Sequence, residues 1–494
     1  NLEGANLDGA DLTGSDLTGT NLTTASLIGT TITSATLANA NLTETDLTGA
    51  IGTSATLTGA DLTDTNLTDA NLPNASLTSA TLTRTNLTGA NLTSVTATPA
   101  TFTDVTATGA TLSYSNLTGS TFSGGSFSGA TLMMAHFDNA TITDTDFTSA
   151  LMTYATATSA TLTRPNLTSA DLASANFTSA TLTTATAPGA NLTSAILRYA
   201  VFTKLTAANA TFDGADLTQT ALSGADLTWA SMVGATAPWA DLSSTILTAA
   251  DLSGTALANS SLSGASGYLV NLSGADLTNG NLTSATLHLS DFTGAIMEGA
   301  DLTRASLYKA DFTDARSAAT TFDRTDLQDV DFIGADLTGA VIIDVISSGV
   351  DLTEANLTGA VLVRTALPEA NFTGADLTGA DLSTLDLSGI GFFGARQTGW
   401  TLWPAGTGPA SLGVVDRTMT EPDVVCDLSL RGACETANLG HTNLGSRNLG
   451  YADLSRTTLT GADLSAVDLS GARMASATLT GTGLAGAQLA GADL

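Results

Sequence analysis

Leucine marks this chain at a fixed interval. Leu2, Leu7, Leu12, Leu17, Leu22 and Leu27 stand five residues apart, and the phase persists through Leu377, Leu382, Leu387, Phe392 and Leu402. Phenylalanine tests the phase independently, because all 15 Phe residues except Phe393 fall on it. An amphipathic helix repeats every 3.6 residues and a half-buried strand every two, so neither template explains the spacing. Two residues before each Leu or Phe stands a small residue, above all Ala. One before stands Asp, Asn, Thr or Ser; Thr or Ser follows, then Gly, Ser or Thr, as in Ala10-Asp11-Leu12-Thr13-Gly14. The small and the large apolar positions are expected to point inward and the other three to face water. Such a unit cannot bury its own apolar face, so repeats must stack on one another.

The unit A-(D/N/T)-L-(T/S)-(G/S) resembles the pentapeptide repeat family, whose consensus is A-(D/N)-L-x-x. The resemblance implies an all-β fold: a right-handed quadrilateral parallel β-helix, a β-solenoid with one pentapeptide per side and about 20 residues per coil. The departures from the pattern at Gly52, Ala187, Ala207, Ser317, Ser347 and Gln397 read as local thinning of the core rather than as sites.

The period fails near Trp403, where Pro404, Gly406, Gly408, Pro409 and Pro422 accumulate, and resumes at Leu439, shifted by two residues, to run on to Leu494. Three segments follow: a long solenoid over 1–402, a non-repeat excursion over 403–433, and a C-terminal solenoid over 434–494 that either continues or follows the first. Cys426 and Cys434, the chain's two cysteines, are expected to form a disulfide stapling the excursion, which would suit an oxidising compartment. Trp400 and Trp403 are expected to close the core at this point. The chain opens on Asn1 rather than Met, as a processed chain or a piece of a longer one would.

Composition narrows the function. Aromatic residues are 5% and charged residues 12%, while 43% are hydrophobic, a bias that favours a repeat architecture over disorder. The formal net charge is −31, and Lys204 and Lys309 are the two lysines. Phosphate binding needs clustered Lys and Arg, so nucleic acid is excluded as a partner. No apolar run is long enough to span a membrane. His136, His288 and His441 are far apart, and no nucleophile triad, phosphate loop or G-x-S-x-G elbow is present, so neither an enzyme nor a cofactor is expected.

With 20 residues per coil, positions 20 apart stack on one face. Thr81/Thr83, Thr101/Thr103, Thr121/Ser123, Thr141/Thr143, Thr161/Thr163 and Thr181/Thr183 form six consecutive rungs, an arrangement that resembles the threonine arrays of β-solenoid antifreeze proteins. The plainer reading is that Thr abounds here and suits a sheet. A second column, Asp251, Asn271, Asp291, Asp311, Asp331, Asp351 and Asn371, presents oxygens of the kind Ca²⁺ takes, but it reads first as a solvated acidic face and no metal site is assigned. Sequons N-x-(S/T) begin at Asn21, Asn41, Asn66, Asn74, Asn86, Asn91, Asn116, Asn139, Asn166, Asn176, Asn191, Asn209, Asn259, Asn271, Asn281, Asn356 and Asn371. They would accept N-linked sugar if exposed in a secretory context, although N-L-T also arises from the repeat itself. Outward aromatics such as Tyr114, Tyr154, Tyr199, Trp229, Trp239, Tyr268 and Tyr308 are available for lateral or glycan contacts.

The expected function is a non-catalytic structural one: an extracellular or cell-surface rod or filament subunit, glycosylated on its faces. The sequence begins and stops inside repeats without an amphipathic capping helix. Open solenoid ends would expose strand edges and invite head-to-tail stacking of identical chains. The alternatives are an acidic DNA mimic with a gyrase-type partner, as the resemblance implies, and an ice-binding or adhesive protein acting through the Thr face.

Overall fold

The computed structural model describes residues 1–397, 400–407, 412, 414–416, 449, 452–462 and 464–493. The chain divides into two compact units, Asn1–Ala256 and Leu257–Leu494. Parallel bridges join Asn41 to Asp61 and Asp46 to Asn66 in the first unit, and Asp291 to Asp311 in the second. Four pentapeptides therefore make one coil, giving the all-β parallel β-solenoid expected from the repeat. No α-helix occurs among the described residues.

Each pentapeptide is a short bridge followed by a tight corner. In Ala40-Asn41-Leu42-Thr43-Glu44, Leu42 and Ala40 are buried. Leu42 donates its N–H to Asp61 in the following coil (2.7 Å), and Asn41 donates to Thr20 in the preceding one (3.0 Å). The corner residue, fifth in the unit, has a left-handed backbone, with φ of 66° at Gly14 and 56° at Ser54. This is the third residue a type II turn requires. The corner is closed by the N–H of the next small residue, as in Thr45 to Leu42 (3.0 Å). Asp and Asn before the Leu bend the chain into that corner. Asp61 Oδ1 accepts both the N–H (3.0 Å) and the Oγ1 hydroxyl (2.6 Å) of Thr63, the Asx turn these side chains favour.

In the first unit one side departs from this corner. Strands β1 (Thr81–Thr83), β2 (Thr101–Thr103), β3 (Thr121–Ser123), β4 (Thr141–Thr143), β5 (Thr161–Thr163) and β6 (Thr181–Thr183) form a parallel sheet in that order. The turn-closing bond is not formed there, although Thr before the inward residue also accompanies the closed corner, as at Thr56, where Ala60 donates its N–H to Leu57 (3.0 Å). In the second unit β7 (Ser266–Tyr268) pairs with β8 (Thr286–His288). A further sheet holds β9 (Thr321–Asp323), β10 (Val341–Ile343) and β11 (Val361–Val363), and β12 (Arg396–Gln397) pairs with β13 (Val415–Asp416).

The interior is filled by the Leu/Phe ladder. Phe102 stacks on Phe122 with centroids 4.5 Å apart, and Phe292 on Phe312 at 4.4 Å. Burial of each such side chain stabilises by roughly 1.5–3 kcal/mol. The breaks in the ladder are closed in different ways. At Gly52, Ile32 and Leu72 lean in until an added Cβ would lie 2.8 and 2.5 Å from them. At Ala187 a void of about 10 Å³ remains, lined by apolar side chains including Leu182, Leu192, Phe202 and Phe212. Thr in place of the inward Ala finds a backbone carbonyl for its hydroxyl: Thr45, Thr65 and Thr85 Oγ1 donate to Leu22, Leu42 and Leu62 of the preceding coil (2.7–2.8 Å), and Thr245 Oγ1 to Leu242 of its own (2.7 Å).

The 20-residue register slips near the expected end of the long solenoid. Asp381 bridges Leu402, and Arg396 in β12 pairs with Val415 in β13. Trp403 is half-buried. Its Nε1 donates to Oε1 of the inward Gln397 (2.7 Å) and its ring meets Phe392 edge-on at 5.5 Å. The register is regular again at Asp453–Arg473 and Thr458–Thr478. Cys426 and Cys434, expected to pair, lie outside the described residues, as does most of the expected excursion.

Candidate functional surfaces

With the interior closed, the groups available for chemistry or recognition lie on the outer sides and corners. The threonine column of the first unit coincides with the six-stranded sheet. Thr81 is in register with Thr101, then Thr121, Thr141, Thr161 and Thr181, and Thr83 with Thr103, Ser123, Thr143, Thr163 and Thr183. The first column is exposed from Thr81 to Thr161, and the second is mostly half-buried.

In the second unit the acidic column also assembles, through bridges from Asn271 to Asp291, Asp311, Asp331, Asp351 and Asn371. Asp291, Asp311 and Asp351 each accept the N–H of the Thr two residues on (2.8–2.9 Å). At Asp331, followed by Phe332-Ile333, no such bond forms. Partial burial, then the carboxylates of Asp311, Asp351 and Asp329, push its pKa upward. No group of three or more His, Cys, Asp or Glu among the described residues is arranged to hold a metal ion.

The sequons separate into two kinds. At Asn21, Asn41, Asn66, Asn86, Asn91, Asn166, Asn176, Asn191, Asn356 and Asn371 the Asn Oδ1 accepts both the N–H and the hydroxyl of the sequon Thr. Asn271 does the same with Ser273, while Asn116 and Asn281 accept the N–H. The motif at these positions is the Asx turn itself, so the fold alone accounts for it. Asn74, Asn139, Asn209 and Asn259 instead occupy left-handed corners.

Two further features lie outside the threonine and acidic columns. At corners of the first unit Arg84 makes a bidentate pair with Asp64 (2.7 and 2.6 Å) and Arg164 with Asp144 (2.6 and 2.5 Å), and at a corner of the second Arg364 pairs with Asp344 (2.6 and 3.1 Å). The Arg hydrogen bonds hold these carboxylates below their ordinary pKa. The second is an outward apolar cluster in β10 and β11, formed by Val341, Ile343, Val361 and Val363, each less than 9% exposed. The runs V-I-I and V-L-V signal it, since both flanks of the inward residue are apolar there.

Each of the two described histidines makes a local contact of its own. His136 Nδ1 lies 3.0 Å from Thr156 Oγ1, while His288 Nε2 lies 2.8 Å from Ser306 Oγ and its ring meets Tyr308 edge-on. His441 lies outside the described residues. Tyr114, Tyr154, Tyr199, Trp229 and Trp239 all occupy corners and are more than half exposed. Among the described residues no helix is long and apolar enough to cross a membrane.

Closed coils, inward Leu/Phe and Asx-turn corners define a parallel β-solenoid built from five-residue units. The chain belongs to the pentapeptide repeat family: models described as pentapeptide repeats match 1–96, 140–283, 285–342, 348–384 and 437–494 in overlapping segments, and 107–151 besides. Among solved structures it is similar to HetL, a pentapeptide repeat protein involved in heterocyst differentiation regulation from the cyanobacterium Nostoc sp. strain PCC 7120. That match has 26% identity over 56% of this chain and 91% of HetL, with a TM-score of 0.19. It is also similar to QnrB1, a plasmid-mediated fluoroquinolone resistance protein, at 16% identity over 45% of this chain and 92% of QnrB1, with a TM-score of 0.24. A pentapeptide repeat protein of the Arabidopsis thaliana thylakoid lumen matches at 28% identity over 22% of this chain and 61% of its own, with a TM-score of 0.13. No curated protein matches.

Proposed function

We propose that the chain is a non-catalytic structural protein that works through its outer faces, and in its finer form an extracellular filament subunit that assembles with copies of itself. The observation that carries the reading is the self-complementarity of the coil. Each 20-residue turn accepts and donates the same hydrogen bonds on its two rims, as Leu22 to Asn41 and Ser26 to Ala5 illustrate. A surface that pairs with its own successor in register is suited to pair with the same surface on another copy, and such heterologous contacts propagate. Among the described residues the interior is given over mainly to Leu, Phe and Ala, side chains that bring no acid, base or nucleophile to a substrate. The extracellular placement draws on the Cys426 and Cys434 pair and on the corner sequons. Negative-stain microscopy of the purified chain tests the reading. Regular fibres are expected, and monodisperse monomers at micromolar concentration and neutral pH would overturn it.

A further inference from the structure

The six-stranded face of the first unit carries an inference that goes beyond assembly: we propose that the outer surface of β1–β6 binds crystalline water, the surface of ice. The side chains on this face form two columns over six registered rungs, and all twelve positions are Thr except Ser123. The run is unusual even in this chain. The next longest stack of rungs with Thr or Ser on both sides of the inward residue is three, at 56/58, 76/78 and 96/98. The long run also falls where the corners open into extended strands, so threonine placement and backbone extension coincide.

Binding a crystal face differs from binding a solute. Many water positions must be matched at once, each by a weak contact, so the surface must be regular and already ordered. Neighbouring strands lie about 4.8 Å apart, and alternate residues along a strand about 6.6 Å. The face is therefore a two-dimensional net of hydroxyl and methyl groups about 24 Å long over its five inter-strand steps. Threonine is stiff at χ1, so little side-chain entropy is lost when the net is engaged. Neither column contains an ionisable group. A charge would orient water radially about itself and disturb a lattice. In the first column Asp61 precedes the run and Val201 follows it, so the hydroxyl pattern of that column ends with the sheet, at a charge on one side and at an apolar side chain on the other.

The test uses the full chain and three measurements: ice-crystal shaping with thermal hysteresis, partition into a growing ice front, and pull-down on an insoluble crystalline polysaccharide. The double variant Thr101→Tyr/Thr141→Tyr places two rings on the exposed column. Thr236→Tyr places one on an exposed outward position of another side. Circular dichroism verifies that each variant retains the wild-type fold. The expected result is that wild type and Thr236→Tyr shape ice and enter it, while the double variant loses most of both activities at unchanged fold. Wild type that neither shapes nor enters ice overturns the proposal. So does a double variant as active as wild type, a Thr236→Tyr variant that loses activity equally, or binding to the polysaccharide alone. The presence or absence of fibres bears on assembly and leaves these readouts unaffected.

Discussion

At the scale of single residues, each place in the five-residue unit has its own physical demand. Asp or Asn before the large apolar residue is there to accept the N–H two residues on, which is why Asp61 and Thr63 recur as a pair of types along the chain. The corner demands a left-handed backbone, which Gly meets without cost and Ser, Asn and Asp meet cheaply. Gly125 meets a different demand. It stands in the small inward position, where Ala is usual, yet its φ is +78°, and an added Cβ would lie 2.4 Å from the carbonyl oxygen and 2.6 Å from the nitrogen of Val105. Those are backbone atoms of the neighbouring coil and cannot swing aside. Gly125→Ala should therefore cost about 2–4 kcal/mol through strain and overlap, although Ala is the consensus residue at that place. Chemical denaturation checks this, and a variant as stable as wild type would show that the coil relaxes freely around the new methyl.

At the scale of elements, the coil was legible from the sequence because one rule, a large apolar residue every fifth position, acts on every side. The Phe phase alone identifies the inward column, and the 20-residue spacing places the six threonine rungs in one stack, as their strands pair. What stayed hidden was how a break in the ladder is resolved, because that depends on side chains 20 residues away. Gly52 and Ala187 look alike in sequence, yet Ile32 and Leu72 fill the space at the first and a void persists at the second. The Arg–Asp pairs sit at the corners, outside the two columns that flank the inward residue, and the outward valines are signalled only by the runs V-I-I and V-L-V, whose apolar flanks break the polar rule of the unit. The void yields a prediction. It is apolar, so it offers a water no partners and is expected to be dry. Ala187→Val should add buried methyl groups with little displacement and raise stability by about 0.5–1 kcal/mol. Differential scanning calorimetry tests this, and a lower melting temperature would mean that the walls are too rigid to accept even a small branched side chain.

At the scale of the whole molecule, charge sets a stability profile against pH that two opposed groups of carboxylates shape. Asp11, Asp16, Asp386, Asp453 and Asp468 lie below their ordinary value of 3.8, chiefly through hydrogen bonds from Thr or Ser side chains. Asp64, Asp144 and Asp344 are lowered chiefly by hydrogen bonds from Arg. A carboxylate held low in the folded chain contributes stability that is present above its ordinary value and is lost as pH falls through the folded one. Asp331 has the opposite sign. Its pKa is raised, so its contribution is complete below 3.8 and is lost as pH rises through the folded value, leaving a penalty at neutral pH. Carboxylates stacked at ~4.8 Å repel by roughly 1 kcal/mol per neighbour in water, and Asp331 has such a neighbour on each side in Asp311 and Asp351. With a net charge of −31, mild acidification also relieves general self-repulsion. The melting temperature should therefore hold or rise slightly as pH falls from 7 toward 4, then drop below 3.8 as the Asx-turn and Arg-paired carboxylates take up protons. Asp331→Asn separates the two groups: it should raise the melting temperature at pH 7 and leave it unchanged at pH 3, where wild-type Asp331 is already neutral. Thermal melts at the two pH values decide the matter. A variant that melts lower than wild type at pH 7, or by the same margin at both, would mean that the acidic column is stabilised by something other than its own discharge.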